Sequence, residues 1–442
     1  MSKFRKQHMD IQWHEIIDSE STSPISEAPL KEKAYIVGRV GLLMLSAGTA
    51  AWRVRASMNK IARALDISCT ADIGLLAISY TCVGNGETCT NSLSLRTTGV
   101  NTHKLSYLEE FADKFSERTN KYSVEQFHRI LDKIETLPLN YKAWQLGLAA
   151  AFACCAFTFL LGGGYVEMIC AFFGAGIGNL VRKKLLERHI TLLANVAIGV
   201  ASACCTYVIL IKLAEIIFGV SAVHQAGYIC SMLYIIPGYP LITGGFDLAK
   251  LDLRSGIERI TYALLIILTA TLTGWITSSI FGFAPGEFED LHLSPVLMTA
   301  FRLVAGFTGV FGFSLMFNST RKMAFTAGMI GMIANTLRLV LVDMTSIHPA
   351  AAAFIGTLTA GLLASAVKPA LGLKFPRITL TVPSIVIMVP GMFLYKGVYF
   401  TAQNDISEGF LWLTKALLII AALPLGLIFA RIITDKNFRK ST

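Results

Sequence analysis

Two short stretches, IIPGYP at 235–240 and MVPGMF at 388–393, place a Pro-Gly pair inside strongly apolar sequence. Proline removes a backbone donor and clashes with the preceding helical turn, so each pair should interrupt a helix. Interrupted backbone at membrane depth is tolerated only where protein or a water-filled cavity satisfies it. The freed N–H and C=O groups can then bind polar parts of a solute or a coupling ion, and a half-helix N-terminus favours a carboxylate. Pro237, Gly238, Tyr239, Pro390 and Gly391 are therefore candidate substrate-binding residues. Polar residues embedded in apolar runs add to them. Asn179 and Asn335 stand beside glycine-rich stretches and offer amide hydrogen bonds, to a solute or to a neighbouring helix. Arg302 and Arg338 can hold a carboxylate or snorkel to the nearer interface. Asp343, five positions beyond Arg338, is a candidate proton carrier or an exposed loop acid.

The elements that must position these residues follow from composition. The chain has 442 residues, 54% hydrophobic and 15% charged, with a mean hydropathy of +0.57. Soluble globular chains carry about 25% charged residues. The charges concentrate in residues 1–142, and from Trp144 to Arg431 long apolar stretches alternate with short charged breaks. A membrane helix needs about 20 mostly apolar residues. That length predicts spans near 144–163, 166–181, 191–212, 222–245 and 259–283, then near 296–317, 323–342, 349–367, 378–399 and 410–430. The expected fold class is an α-helical polytopic membrane protein of about ten transmembrane helices. The expected parts are a disordered polar tail (1–33), a small α+β cytoplasmic domain (34–142), two membrane repeats (143–283 and 296–434) and a basic cytoplasmic tail (435–442).

The two Pro-Gly stretches belong to a longer repeat. Residues 235–267 align with 388–420 without a gap, at a constant offset of 153 (390 − 237), and both end in ALLII. Upstream, GAGIGN (174–179) corresponds to GMIGMIAN (328–335) with a small gap. This is an internal duplication. Five spans per copy is an odd number, so the second copy enters the membrane inverted. The connecting charges agree. RKKLLERH, AKLDLRSGIER, TRK and KPALGLKFPR are basic and fall on one side, whereas PGEFED and NDISE fall on the other. Lys and Arg favour the cytoplasmic side, which places both termini inside.

Other chemistries find little support. The net charge of +10 is spent on topology, so nucleic acid is not an expected partner. No Cys/His ligand spacing for a metal and no GxxxxGK[ST] loop occurs, and no cofactor is expected. GAGIGNL resembles a dinucleotide fingerprint but lacks a βαβ context, and close helix packing explains it. In the N-terminal part, 34–65 reads as one long helix and 74–83 with 91–98 as a hairpin turning at GNGE. Cys82 and Cys89 would face each other across that hairpin. Helices follow near 106–119 and 123–136, the second opened by a Ser123/Gln126 capping box. His103, Ser106 and Glu109 are the nearest approach to a catalytic set, but no elbow motif flanks the serine.

GRVGLLMLSAGTAAWRVRASMNKIARAL (38–65), PGYPLITGGFDLAKLDLRSGIERI (237–260), HPAAAAFIGTLTAGLLASA (348–366) and VPSIVIMVPGMFLYKGVY (382–399) together resemble the threonine/serine exporter family. That family also occurs as a split pair associated with succinate export. The resemblance implies a non-enzymatic secondary exporter of threonine and serine in the bacterial inner membrane, with dicarboxylates such as succinate as the alternative cargo. With no ATPase motif in the chain, transport would draw on a proton, ion or substrate gradient. A homo-oligomer is left open, and a membrane sensor or scaffold with a regulatory cytoplasmic domain is the reading from another class.

Overall fold

The computed structural model describes residues 11–15, 23–370, 372, 375–436 and 438–439. They form two compact units: Met1–Pro138 with Asp247–Glu258, and Leu139–Phe246 with Arg259–Thr442.

In the first unit the expected single helix over 34–65 is two, α1 (Leu30–Ser46) and α2 (Ala51–Ala64). Gly48 adopts φ +85 between them, a left-handed turn that ends α1 before Ala50 starts α2 in an extended conformation. The sheet has three strands rather than two: β1 (Ser68–Ile73), β2 (Ala77–Gly84) and β3 (Glu87–Ser94), antiparallel in that order. β1 (SCTADI) lacks a strong apolar alternation, which is why it escapes a pattern search. On β2, Ile78, Tyr80 and Cys82 alternate inward. Asn85 and Gly86 both take positive φ, as a tight hairpin turn requires. Cys82 does face Cys89, and on its other side Cys69, and all three are free thiols. α3 (Thr102–Asp113) and α4 (Val124–Glu135) complete the layer, the latter with the expected capping box. Phe111, Phe115 and Phe127 form its aromatic core. His103, Ser106 and Glu109 form no catalytic set. The Ser106 hydroxyl donates to the His103 carbonyl, and Glu109 pairs with Arg53.

The segment 247–258 folds as part of this unit although it lies between two membrane helices in sequence. Asp247 accepts from the Ala51 N–H (2.8 Å) and from Ser255 Oγ (2.9 Å), and Asp252 pairs with Arg55 at 2.6 Å. Glu258 accepts from the Leu75 N–H, and Arg254 pairs with Asp72.

The second unit is helical. Its helices are α5 (Ala143–Leu160), α6 (Tyr165–Glu187), α7 (Leu192–Phe218), α8 (Gly238–Ala249), α9 (Leu253–Ile280), α10 (Pro295–Met316), α11 (Arg321–Met344), α12 (Pro349–Ala370), α13 (Ile378–Ile385), α14 (Gly391–Ala402) and α15 (Ile406–Thr434). α8 and α9 each run on into the 247–258 segment of the first unit. A 3-10 segment, Ala222–Ile235, precedes α8, and another, Val386–Met388, follows α13. Among the described residues seven helices are long and apolar enough to cross a membrane, and two bent pairs bring the number to nine. α6, with 23 residues, is the tenth expected span. It is less apolar because it carries Glu167 near its start and Arg182, Lys183 and Lys184 near its end. α5 and α10, the first helices of the two copies, pack against each other and run antiparallel. A methyl group at Gly312 would meet Ala149 O and Ala153, and one at Gly309 would meet Ala153 and Ala156. Equivalent helices that run oppositely are what an inverted duplication requires.

The first unit holds a pH-sensitive attachment. Arg39, buried beside the ring of Trp13, donates to Asp132 (2.5 Å), Glu135 (2.8 Å) and His128 Nδ1 (2.9 Å). His14 bridges Glu125 (2.9 Å) and Asp132 (2.7 Å). Those two carboxylates raise the His14 pKa above its ordinary value, whereas burial, with the Arg39 charge second, pushes His128 down to about 3. A raised histidine pKa stabilises docking below the free value near 6.5, and that contribution is lost as pH rises through the folded value. His128 acts in the opposite sense: its neutral burial favours the fold above about 6.5 and disfavours it on acidification. Backbone amide exchange at 11–15 is therefore expected to be slower at pH 6 than at pH 8.5 after correction for intrinsic rates. His14→Ala should remove that difference.

Candidate substrate site at the crossing of the broken spans

Both Pro-Gly pairs interrupt a span. Gly227–Ile235 and Gly238–Ala249 meet at 59°, and Ile378–Met388 and Gly391–Ala402 meet at 44°. The backbone around the two breaks is bonded alike. Gly238 N donates to Ile236 O and Gly391 N to Val389 O, both at 2.8 Å. Leu241 N donates to Pro237 O at 3.2 Å, and Leu394 N to Pro390 O at 3.0 Å.

The two breaks also cross each other. A methyl group at Gly238 would meet Val389 (3.1 Å) and Val386 (3.4 Å), and one at Gly391 would meet Leu233 (2.9 Å) and Ile236 (3.2 Å). Adding the 153-residue offset turns Leu233 into Val386 and Ile236 into Val389 (386 − 233 = 389 − 236), so each glycine receives the equivalent residues of the other copy. The space left at the crossing is a cavity of about 10 Å³, lined by Phe157, Leu233, Ile236, Phe313, Val386 and Val389 among others. That is an apolar closure with no room for a solute. Tyr239 packs its ring on Phe317 at 5.3 Å. In this conformation Pro237, Gly238, Tyr239, Pro390 and Gly391 form the closure, and the polar groups that could hold a solute lie beside it.

Those polar groups sit on the second helix of each copy. Asn335 is fully buried, and among the described residues neither atom of its amide has a hydrogen-bond partner. One turn on, the Arg338 Nε is buried and unpartnered, as is Thr336 Oγ1. Gly331, Asn335 and Arg338 share one helix face by their spacing. A methyl group at Gly331 would meet the Ser384 carbonyl at 2.7 Å, and the Arg338 Cβ lies at the Gly356–Met388 contact. The face is thus turned to the segment that leads into the second break. Arg302 of α10 pairs with Asp343 at 2.5 Å and lies near Arg338, so these three sequence candidates gather at the C-terminal end of α11, with Asn335 one turn before Arg338. Asn179 differs from Asn335: its Nδ2 donates to Leu146 O at 2.8 Å, bonding α6 to α5, and only its Oδ1 is unpartnered.

Several polar residues escaped the sequence reading. Glu167 is fully buried in α6, with Oε1 on His224 Nδ1 at 2.6 Å and Oε2 unpartnered. Tyr207 Oη donates to the His224 carbonyl at 2.6 Å. Glu167 hides at the start of a span, where an acid passes for a loop residue, and the side chain of Gln225 lies outside the described residues. Ser231 and Ser384, equivalent at the same offset (384 − 231), are both buried and donate to Tyr228 O and Thr381 O. The repeat offset would have singled them out. Tyr228 and Tyr395 share a 2.5 Å hydrogen bond between the two broken spans. A cleft of about 340 Å³, lined by Glu287, Glu289, Asp290 and Lys396, reaches Met392 and Phe393 just past the second break.

Two antiparallel copies of a five-helix unit, each with an interrupted fourth span, define a membrane transporter of inverted-repeat build. A sequence profile described as "Putative threonine/serine exporter" matches residues 35–281, and one described as "Threonine/Serine exporter, ThrE" matches 302–433. The chain belongs to the threonine/serine exporter family. It is 25% identical over 235 residues to the probable succinate transporter subunit YjjP of Escherichia coli, covering 53% of this chain and 88% of that one. It is 32% identical over 168 residues to pheromone-regulated membrane protein 10 of Kluyveromyces lactis, covering 35% of this chain and 17% of that one. No solved structure matches the chain.

The packing at Gly331 gives a direct test. An added methyl group meets backbone there, which cannot rotate away, so Gly331→Ala should cost about 1–3 kcal/mol, read as a lowered unfolding midpoint of the detergent-solubilised protein. Gly309→Ala meets only ordinary contacts of 3.4 Å and beyond, and should leave the midpoint nearly unchanged.

Proposed function

We propose that this chain is a secondary-active exporter of small amino acids, threonine and serine, across a bacterial inner membrane with both termini in the cytoplasm. The observation that carries this reading is the closure itself: two oppositely oriented broken spans seal one apolar crossing, with unpartnered polar groups beside it. A solute passes when the copies rock and the crossing parts on one side at a time.

Arg338 is the substrate-binding residue in the second copy, holding a carboxylate by charge-assisted hydrogen bonds. Asn335 supplies an amide that serves a carboxylate oxygen with its donors or an ammonium and hydroxyl with its acceptor. Arg302 is already engaged by Asp343, so among the described residues this end of α11 presents one unengaged guanidinium. One free cation suits the single carboxylate of an amino acid better than two carboxylates. Succinate, named for the relatives in Escherichia coli and Klebsiella aerogenes, is the second reading, because those relatives align with about half of this chain. A membrane sensor or scaffold is the reading left if no solute moves.

The coupling proton is assigned to Asp343, whose partner Arg302 lies beside Arg338, so that protonation and substrate occupancy act on one cluster of charge. The test is flux of labelled threonine, serine and succinate in proteoliposomes with an imposed pH gradient. Wild type should move threonine and serine saturably and respond to the gradient. Asp343→Asn should keep exchange of internal for external substrate and lose gradient-driven accumulation. If Glu167→Gln shows that loss and Asp343→Asn does not, the coupling acid is Glu167. Flux of none of the three solutes would overturn the exporter reading.

A further inference from the structure

Asn335 and Arg338 have counterparts in the first copy, at a position that sequence reading assigns to an ordinary basic connection. Asn179-Leu-Val-Arg182 repeats the spacing of Asn335-Thr-Leu-Arg338 at an offset of 156 (338 − 182). Each arginine stands 17 positions beyond the first residue of its helix (182 − 165 and 338 − 321).

The surroundings repeat as well. A methyl group at Gly199 of α7 would meet Arg182 Cβ at 3.4 Å and Ile235 at 3.5 Å. One at Gly356 of α12 would meet Arg338 Cβ at 3.1 Å and Met388 at 3.4 Å. Ile235 and Met388 are equivalent residues (388 − 235 = 153), each two positions before its Pro-Gly pair. Each arginine is therefore wedged between a glycine of the third helix and the segment entering the break. Among the described residues neither guanidinium has a hydrogen bond or an ion pair. The asparagine one turn before each is fully buried and retains an unpartnered oxygen. A buried amide left open is costly unless something binds there, and the half-buried arginine beside each keeps its fork accessible to a ligand. Because the copies run antiparallel, α6 and α11 do too, and the two arginines lie towards opposite membrane faces.

We propose that Asn179–Arg182 and Asn335–Arg338 are two symmetry-related stations for a small carboxylate, one on either side of the crossing broken spans. Each station uses a guanidinium fork for the carboxylate and the asparagine amide for a neighbouring polar group. Successive occupation of the two stations deepens the exporter reading above and rests on it, whereas carboxylate binding at each does not.

The test is calorimetric binding to the purified full chain in detergent, with L-threonine, succinate and the carboxylate-free L-threoninol as probes. Wild type should bind threonine or succinate and not threoninol. Arg182→Gln and Arg338→Gln should each weaken the carboxylate at its own station about tenfold to a hundredfold, the range of a lost charged hydrogen bond, and leave the other station's binding in place. The double variant should show no binding. Where a glutamine variant fails to give a monodisperse protein, Arg182→Lys and Asn335→Asp replace it. The first keeps the charge without the fork, the second places a competing carboxylate one turn from Arg338, and both should weaken binding. Unaltered affinity in the variants of either station, no carboxylate binding by wild type, or equal binding of threoninol would overturn the proposal. Binding as expected without flux in proteoliposomes would remove the exporter reading and leave the stations. Flux with binding indifferent to both arginines would do the reverse.

Discussion

The membrane unit depends on the reciprocal contact between its two Pro-Gly breaks. Gly238 is filled by Val386 and Val389, and Gly391 by Leu233 and Ile236. The spacing, 2.9 to 3.4 Å from a notional methyl carbon, means that a side chain at either glycine would push these neighbours aside. Prolines explain why the helices stop, but they do not explain why the chain may cross itself there; the glycines do. In lipid there is little hydrophobic drive to bring helices together, so the contact must be won by shape. The same economy holds outward from the crossing, where Gly309 and Gly312 let α10 approach α5, and Gly174 and Gly178 let α6 approach α7 and the segment 222–235. The apolar crossing can part without stranding backbone groups, because those around each break already bond within their own copy, and the Tyr228–Tyr395 hydrogen bond is a polar link that must break with it.

The twofold relation is broken in a consistent manner. Glu167 corresponds to Met323, and Tyr395 to Ile242, so the buried carboxylate–imidazole pair and the Tyr228–Tyr395 bond occur once each. Arg302 and Asp343 likewise add a charge pair to the Arg338 end alone. Symmetric packing gives a repeat two equivalent ways to rock. Polar additions on one side make those two states unequal in energy.

Much of this was legible in the sequence, and the parts that were not share a cause. Ten spans, the duplication and both breaks could be read from apolar length and from Pro-Gly spacing, because those features are local. β1 was missed because its burial pattern carries little apolar alternation. The turn at Gly48 was missed because a single glycine within a helical pattern has several uses. Arg182 was readable from the repeat but was counted with Lys183 and Lys184 as topology, a reading that charge alone favours. Glu167 becomes notable only when His224, 57 residues away, is brought to it. Local rules found the elements, and the residues that chemistry needs were settled by what the fold put beside them.

The fate of one duplicated corner makes the last point about divergence. Positions 247–258 and 400–411 are equivalent at the 153-residue offset, and both join a broken span to the final helix of a copy. In the first copy Asp252 reaches Arg55, and the whole corner folds with the first unit. In the second, Asp405 caps its own helix by accepting from the Glu408 N–H at 3.1 Å. Both aspartates are inherited from one ancestral position, and a helix start is where an acid is favourable in any case. What differs is the company: Lys250 and Arg254 surround the first, and Glu408 the second. The corner with basic neighbours is also the one that pairs with the first unit. Recruitment of one corner into another unit thus needed no new fold, since an acid already present for helix capping was available to pair outward.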